Sequence, residues 1–475
     1  MTAIETPETP DLSRSTSELA SRLAADLAGA VLLPTMPGYD DEVASFNAGL
    51  THRPDVVVAA ATAEDVRAAV AAASELGVTI GVQATGHGAL EPLTGGLLIS
   101  TRRLDLVEVD PAARTARVGA GVTWRQVIDA AGRHGLAPLN GSASNVGVVG
   151  YLLGGGLPVM GRRFGFAADH VRALEVVTPD AVRRTVDAVN EPDLFWGLRG
   201  GAGNLAVVTE VTIDLFPVST VYGGGIYYAE ESIPTVLHGY REWSATLPDA
   251  CCTSVAVVRL PPLPDVPEPL RGKTVAHLRV CHIGDAAEGE RLLAPMRQVA
   301  TPMIDMVGPM PYGAVDQIHQ DPDHPVPFTE AGVLLRELTA DTVDAILAHV
   351  GPGVPSPVLM CELRQLGGAF ARQPEHPNAV GGRDAGYSLF CLAILAPPIA
   401  DIAPAAVAAV VEAAEPWTTG QTALNLHGHR GDEADRARAW TPQDYRRLGA
   451  LRGQVDPRGL LVSGHVIAPR APMQG

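Results

Sequence analysis

An α+β chain with more than one domain is what this sequence predicts, and three observations predict it. Its 475 residues exceed what a single hydrophobic core ordinarily serves. From Pro54 onward, short β-rich runs alternate with capped, apolar-faced helices. After Pro217 the texture shifts to a Pro-rich loop and longer strands, which marks a second domain. Hydrophobic residues at 46% and charged residues at 19% supply ample material for burial.

The elements follow in order. Leu19, Leu23 and Leu27 mark an amphipathic helix within an N-terminal segment, residues 1–53. Val56-Val57-Val58 reads as a buried strand. Thr62, with Asp65 three residues on, caps a helix that turns Val66, Ala69, Val70, Ala73 and Leu76 inward and ends at Gly77. Residues 78–82, 97–99, 105–109 and 115–119 read as strands. A helix runs from Thr123, paired with Gln126 in a capping box, to Gly135. Residues 174–177, 181–186 and 207–215 are β-rich and complete a first domain over residues 54–217. Residues 218–431 form the second α+β domain, with strands at 276–283 and 358–365 and a helix at 340–350. In the C-terminal segment, residues 432–475, Thr441 and Pro442 open a helix with Tyr445, Leu448 and Leu451 on its apolar face.

Charge and cysteine usage narrow the function classes. A formal net charge of -18 with no Lys/Arg cluster argues against a nucleic-acid partner. The five cysteines form no CxxC pair: Cys251 and Cys252 are adjacent, and Cys281, Cys361 and Cys391 lie in apolar stretches. They read as reduced thiols. Residues 1–14 lack the basic-then-apolar pattern of a secretory signal. Pro397, Pro398, Asp401 and Pro404 interrupt the most apolar late stretch, so no membrane span is expected. The expectation is a cytoplasmic protein without a membrane or nucleic-acid partner, its oligomeric state unspecified.

Three glycine-rich segments carry the chemistry. Gln83-Ala84-Thr85-Gly86-His87-Gly88 follows a strand directly. The second segment runs from Gly141 through Ser142, Val146, Gly147 and Gly150 to Gly154-Gly155-Gly156. The third, Gly200-Gly201-Ala202-Gly203, enters the strand that begins near Val207. Small residues let backbone N–H groups approach an anion such as a pyrophosphate. None of the three fits the dinucleotide fingerprint of glycine spacing between a strand and a helix, so a nicotinamide domain is not expected.

Gly86-His87-Gly88, the run 146–156, Phe164-Gly165 with Ala168-Asp169-His170-Val171, and Asp193-Leu194-Phe195-Trp196-Gly197-Leu198-Arg199-Gly200-Gly201 occur in this order. Together they resemble the berberine-bridge-enzyme-like FAD-linked oxidases of the vanillyl-alcohol-oxidase superfamily. The resemblance covers residues 54–217, is weak in the middle, and resumes over 445–469. It implies a two-domain PCMH-type FAD-binding fold in which an antiparallel-sheet substrate domain is inserted over the flavin. It also implies a covalent bond from His87 to the flavin, which raises the flavin's redox potential. FAD contacts are expected from the glycine segments and from Gly121 and Val207. A second covalent link, through a cysteine found in many relatives, is not expected, because Ala143 stands in that place.

The resemblance implies hydride transfer from a small organic substrate to FAD, with dioxygen reoxidising the flavin to give hydrogen peroxide. A dehydrogenase with another acceptor and a non-redox scaffold are the alternatives. The family's frequent catalytic tyrosine is replaced by Ala423, which leaves the base open. Asn425 is retained, and His427 offers an imidazole able to accept a proton near neutral pH. A strand over residues 425–429 would set Asn425, His427 and His429 on one face. On the strand 358–365, Glu362 and Arg364 share one face, and Gln365, on the other, is the expected pocket residue. His319 to His324, with Asp321-Pro322 between them, reads as a turn-rich surface loop, and no metal site is expected.

Overall fold

In the computed structural model, residues 12–23, 27–264, 266–428 and 432–471 are described. The first sheet uses β1 (Ala30–Leu32), β2 (Val56–Ala59), β3 (Ile80–Gln83) and β4 (Leu97–Ser100), in the order β1-β2-β4-β3. Strands β2, β4 and β3 are parallel, as the intervening helix Ala63–Leu76 requires. That helix begins where Thr62 accepts from Asp65 N–H at 3.1 Å and stops at Gly77, whose φ is +69°.

The second sheet is antiparallel: β5 (Val107–Asp110), β6 (Thr115–Gly119), β7 (Val171–Val177), β8 (Arg183–Asp187) and β9 (Val207–Asp214), ordered β5-β6-β9-β7-β8. A continuous apolar core joins these two sheets to the helix Pro442–Val455 and the tail beyond it. The tail lies along the first sheet, where Ile80 N–H donates to Leu460 O at 2.7 Å and Val462 N–H to Ile80 O at 3.0 Å.

Arg452, at 1% exposure, ties this tail down. It donates to Asn204 Oδ1 at 3.0 Å, to Leu461 O at 2.6 Å and to Ile467 O, and pairs with Asp456 at 3.3 Å. Arg452→Met leaves Asp456 buried without its cation, and the expected loss is about 3–5 kcal/mol of unfolding free energy. Urea unfolding followed by circular dichroism measures it; an unchanged midpoint would show that the network is dispensable.

The third sheet holds β10 (Thr220–Ala229), β11 (Cys251–Arg259), β12 (Thr274–His282), β13 (Pro302–Asp305), β14 (Gly308–Pro311), β15 (Phe328–Leu335), β16 (Met360–Gln365) and β17 (Tyr387–Ile394). Its path is β13-β10-β12-β11-β16-β17-β15, with β14 paired to β10. Alternation along each strand gives it two different faces. Val255, Val257, Leu278, Cys361, Leu363, Leu389 and Val333 pack under the helices Ile233–Ser244, Ala340–Val350 and Ala403–Ala413. The opposite face turns toward the glycine-rich loops of the first unit. The cysteines are free, and all but Cys252 are buried.

One local expectation fails, and a second holds except at one residue. Residues 425–427 do not form a strand: Leu424–Leu426 is a 3-10 turn, and His429 lies outside the described residues. The cause is a competing set of bonds, because the Asn425 amide is drawn to the backbone of the second glycine segment. The segment 319–324 is the exposed irregular loop expected, with Gln320, Pro322, Asp323 and His324 at the surface, except that His319 itself is buried at 7% exposure over the third sheet.

Candidate active site

A cleft of about 1720 Å³ separates the glycine-rich loops from the helix-free face of the third sheet. A pocket for one small ligand occupies roughly 300–1,000 Å³, so this cleft has room for a cofactor and a substrate together.

The first wall grows out of the end of β3. Gln83, Ala84, Thr85, Gly86, His87 and Gly88 line it, joined by Gly141, Ser142, Val146, Gly147, Gly150, Gly154 and Val207. At Gly88 and Gly150 a Cβ would meet nothing within 4 Å, so bare backbone faces the open cleft. Gly86 has φ +75° and a Cβ there would lie 2.8 Å from Ser45 Cα, so only glycine lets the chain turn His87 into the cleft. The His87 ring stacks on Phe46 at 3.7 Å, and its Nδ1 lies 2.9 Å from Thr85 Oγ1. Among the described residues its buried Nε2 makes no hydrogen bond. Burial pulls the imidazole down to about 4, opposed only in part by Asn145, so the ring is neutral at ordinary pH.

The remaining predicted residues lie elsewhere or serve differently. Gly121 sits behind the wall, where its missing side chain lets Thr101 O approach; a Cβ would be 2.3 Å from that oxygen. Gly155 and Gly156 face away from the cleft, against Val380 and Tyr151. Asn425 does reach the cleft, but both ends of its amide are engaged: Oδ1 accepts from Gly156 N–H at 2.7 Å and Nδ2 donates to Tyr151 O at 3.1 Å. It positions the glycine loop. His427 is directed at Asp435, 3.2 Å away and off the cleft wall, because the 3-10 turn reverses the alternation a strand would give. Gln365 belongs to the helix-packed face of β16, where its amide donates to Ser244 O at 2.5 Å. Neither His427 nor Gln365 is placed to touch a substrate.

The opposite wall was not legible in advance, and register builds it. Tyr227, His277, Ala256, Glu362 and Phe390 fall in one lateral row across β10, β12, β11, β16 and β17. Arg279, Ser254 and Arg364 form the next row. Glu362, 2% exposed, bonds Arg279 at 2.7 Å and Arg364 at 3.0 Å and accepts from Ser254 Oγ at 2.7 Å. Burial opposes its ionisation, but Arg364 and then Arg279 hold the carboxyl well below the usual carboxylate range. His319 Nε2 closes the group 3.8 Å from Glu362. Burial, reinforced by the arginines, keeps His277 and His319 neutral.

Glu330, on β15, also lines the cleft. It pairs across the sheet with Leu392, and among the described residues its carboxyl makes no hydrogen bond or ion pair. Protein encloses it on all sides but the cleft, and that desolvation pushes its carboxyl up to about 8. A run of alternating residues around Glu330 was the available signal. His465 joins the wall from the tail, held neutral by burial and by nearby His427, at about 3.

Comparison with known proteins follows the same division of the chain. Residues 54–187 match the family described as FAD binding domain. A relative in Bacillus subtilis (strain 168), an uncharacterized FAD-linked oxidoreductase, is 24% identical over 76% of this chain and 79% of its own length. Other curated relatives align over as little as 34% of their length and up to 66%. Among solved structures, 6-hydroxy-D-nicotine oxidase from Arthrobacter nicotinovorans superposes with a TM-score of 0.82 at 23% identity, covering 94% of this chain and 99% of that one. The BBE-like 1 protein of Physcomitrella patens gives 0.81 at 19% identity, covering 97% and 100%. The buried, unpartnered Nε2 of His87 and the bare glycine backbone beside it suit a large bound cofactor of this kind.

Proposed function

We propose, on the premise that this chain is an FAD-linked oxidoreductase of the berberine-bridge-enzyme-like family, that it oxidises a small organic alcohol with Glu330 as proton acceptor. The observation that carries this reading is the placement of His87 with the glycine loops and of Glu330 on walls of one cleft. The chemistry FAD supplies when bound is acceptance of a hydride from a substrate C–H and return of the two electrons, with two protons, to dioxygen as hydrogen peroxide.

The chain's own residues do the rest. Gln83 to Gly88, Gly141 and Gly147 to Gly154 would hold the cofactor, and His87 would anchor it covalently. Asn425 fixes the loop at Gly156 so that the cradle keeps its shape. Glu330, uncommitted to any partner, takes the alcohol proton as the C–H bond is lost, which leaves a carbonyl product. Five free cysteines support our reading of a cytoplasmic protein. Among the described residues no helix is long and apolar enough to cross a membrane.

The test is purification followed by absorbance and oxygen-electrode assays on a panel of alcohols, sugars and hydroxy acids. A yellow protein that consumes oxygen and forms equimolar peroxide with one of them meets the expectation. Substrate bleaching without oxygen uptake would reassign it as a dehydrogenase, and a colourless protein would overturn the reading.

A further inference from the structure

Buried polar atoms without partners are rare in folded proteins, because each forfeits the hydrogen bonds it made to water. Among those in residues that line this cleft, besides His87 Nε2, are Tyr151 Oη, Arg364 Nε, His277 Nε2 and His319 Nδ1. Tyr151, His277 and His319 are 8%, 2% and 7% exposed. At least three of the four atoms are donors. Arg364 Nε carries a permanent hydrogen. Tyr151 keeps its phenolic proton because burial drives its ionisation well above the ordinary range. His277 Nδ1 accepts from Arg279 Nε at 3.2 Å, which places the hydrogen of this neutral ring on Nε2.

The local charge agrees with the donors. Arg279 and Arg364 share the single carboxylate of Glu362, so one positive charge is left over. Asp321 lines the same cleft and its charge acts on Arg364 from a distance, but it makes no ion pair with either arginine. Arg279 Nη2 has only the thioether of Met360 at 3.4 Å, and Arg364 Nη1 only a long contact of 3.4 Å to Leu157 O. Beside this donor-rich end, Phe390, Leu392, Met360, Val258 and Phe328 give the same sheet face an apolar surface.

We propose that this end of the cleft binds a carboxylate, received by Arg364 and Tyr151 with Arg279 behind, and that the substrate is a small organic acid with an apolar body. A planar pair of oxygens matches a guanidinium edge, and the shared Glu362 holds both arginines in place for it. The proposal deepens the oxidase reading and rests on it for the word substrate, but the binding site itself does not require flavin chemistry.

Isothermal titration of the purified holoprotein tests it, with benzoate and 3-phenylpropanoate set against benzamide and 3-phenylpropanamide, which keep the shape and lose the charge. At least one acid is expected to bind roughly 10- to 100-fold more tightly than its amide, the scale of a charge-assisted hydrogen bond. Arg364→Met is expected to remove most of that preference, and Tyr151→Phe, which deletes one hydroxyl and keeps the packing, a smaller part of it. If each acid and its amide bind equally, or none binds, the proposal falls. It also falls if benzenesulfonate is preferred to benzoate. A yellow protein without acid preference overturns this inference alone, whereas a colourless one that still prefers the acid overturns the flavin reading alone.

Discussion

Replacing Glu330 by Gln is expected to lower kcat by about 10²- to 10⁴-fold, the range in which a positioned general base contributes. The substitution keeps the shape of the side chain and removes its capacity to take a proton. Glu330 has no ion pair to lose among the described residues, so the variant should fold and load its cofactor normally. The wild-type pH profile supplies an independent reading. Desolvation raises the Glu330 carboxyl to about 8, so it is neutral below that pH and ionised above it. Only the ionised form can accept a proton, and kcat should therefore climb as pH rises through about 8. The same shift has a stability consequence of opposite sign. A carboxyl whose pKa is raised on folding favours the folded state at low pH, and that contribution fades as pH rises through the folded value. In Glu330→Gln the kinetic rise should disappear. A variant that keeps both its rate and its pH dependence would remove Glu330 from the mechanism, and the flavoenzyme reading would survive it.

The second large effect is expected at His87. Acid precipitation of the wild-type protein should leave the yellow colour in the pellet, and His87→Ala should release it to the supernatant. The physical case begins with the protonation state. Burial holds His87 at about 4, so at neutral pH the ring keeps a nitrogen lone pair free to form a bond. Phe46 stacked on the ring at 3.7 Å fixes its plane, and Gly86 sets the turn that presents it. Ala143, where a cysteine would be needed, lines the same cleft and can form no second link. One substitution should therefore free all of the flavin. Colour released from the wild type as well would mean that FAD is held without a covalent bond, and colour retained in His87→Ala would place the attachment on another residue.

The two walls of the cleft differ in how far they could be read ahead of the structure. The cofactor wall was legible because it is local. Glycine, with no side chain to clash, marks where backbone must bend or approach a ligand, and residues 83–88 and 141–156 announce this in consecutive letters. Gly121 was a miss of the same kind, a glycine demanded by the neighbouring chain at Thr101 rather than by a ligand. Asn425 does reach the cleft, but His427 does not stand beside it, because side chain to backbone bonds make a turn where a strand would have put both on one face.

Sequence by itself determined the α+β class, the capped helix between β2 and β3, and the glycine loops that carry His87. Each rests on bonds or steric limits within a few residues. It also showed that Glu362 and Gln365 point in opposite directions, since side chains alternate along a strand. Which of those two faces meets the cleft was decided only by the tertiary structure, when the helices at 233–244, 340–350 and 403–413 covered the Gln365 side. The grouping of Arg279, Glu362 and Arg364 was likewise beyond local reading. It depends on the pairing of β12 with β11 and, across a long stretch of chain, of β11 with β16, which together bring Arg279 to Glu362 over a separation of 83 positions. Local pattern tells a side chain which way to point; only the register of distant strands tells it what it will face.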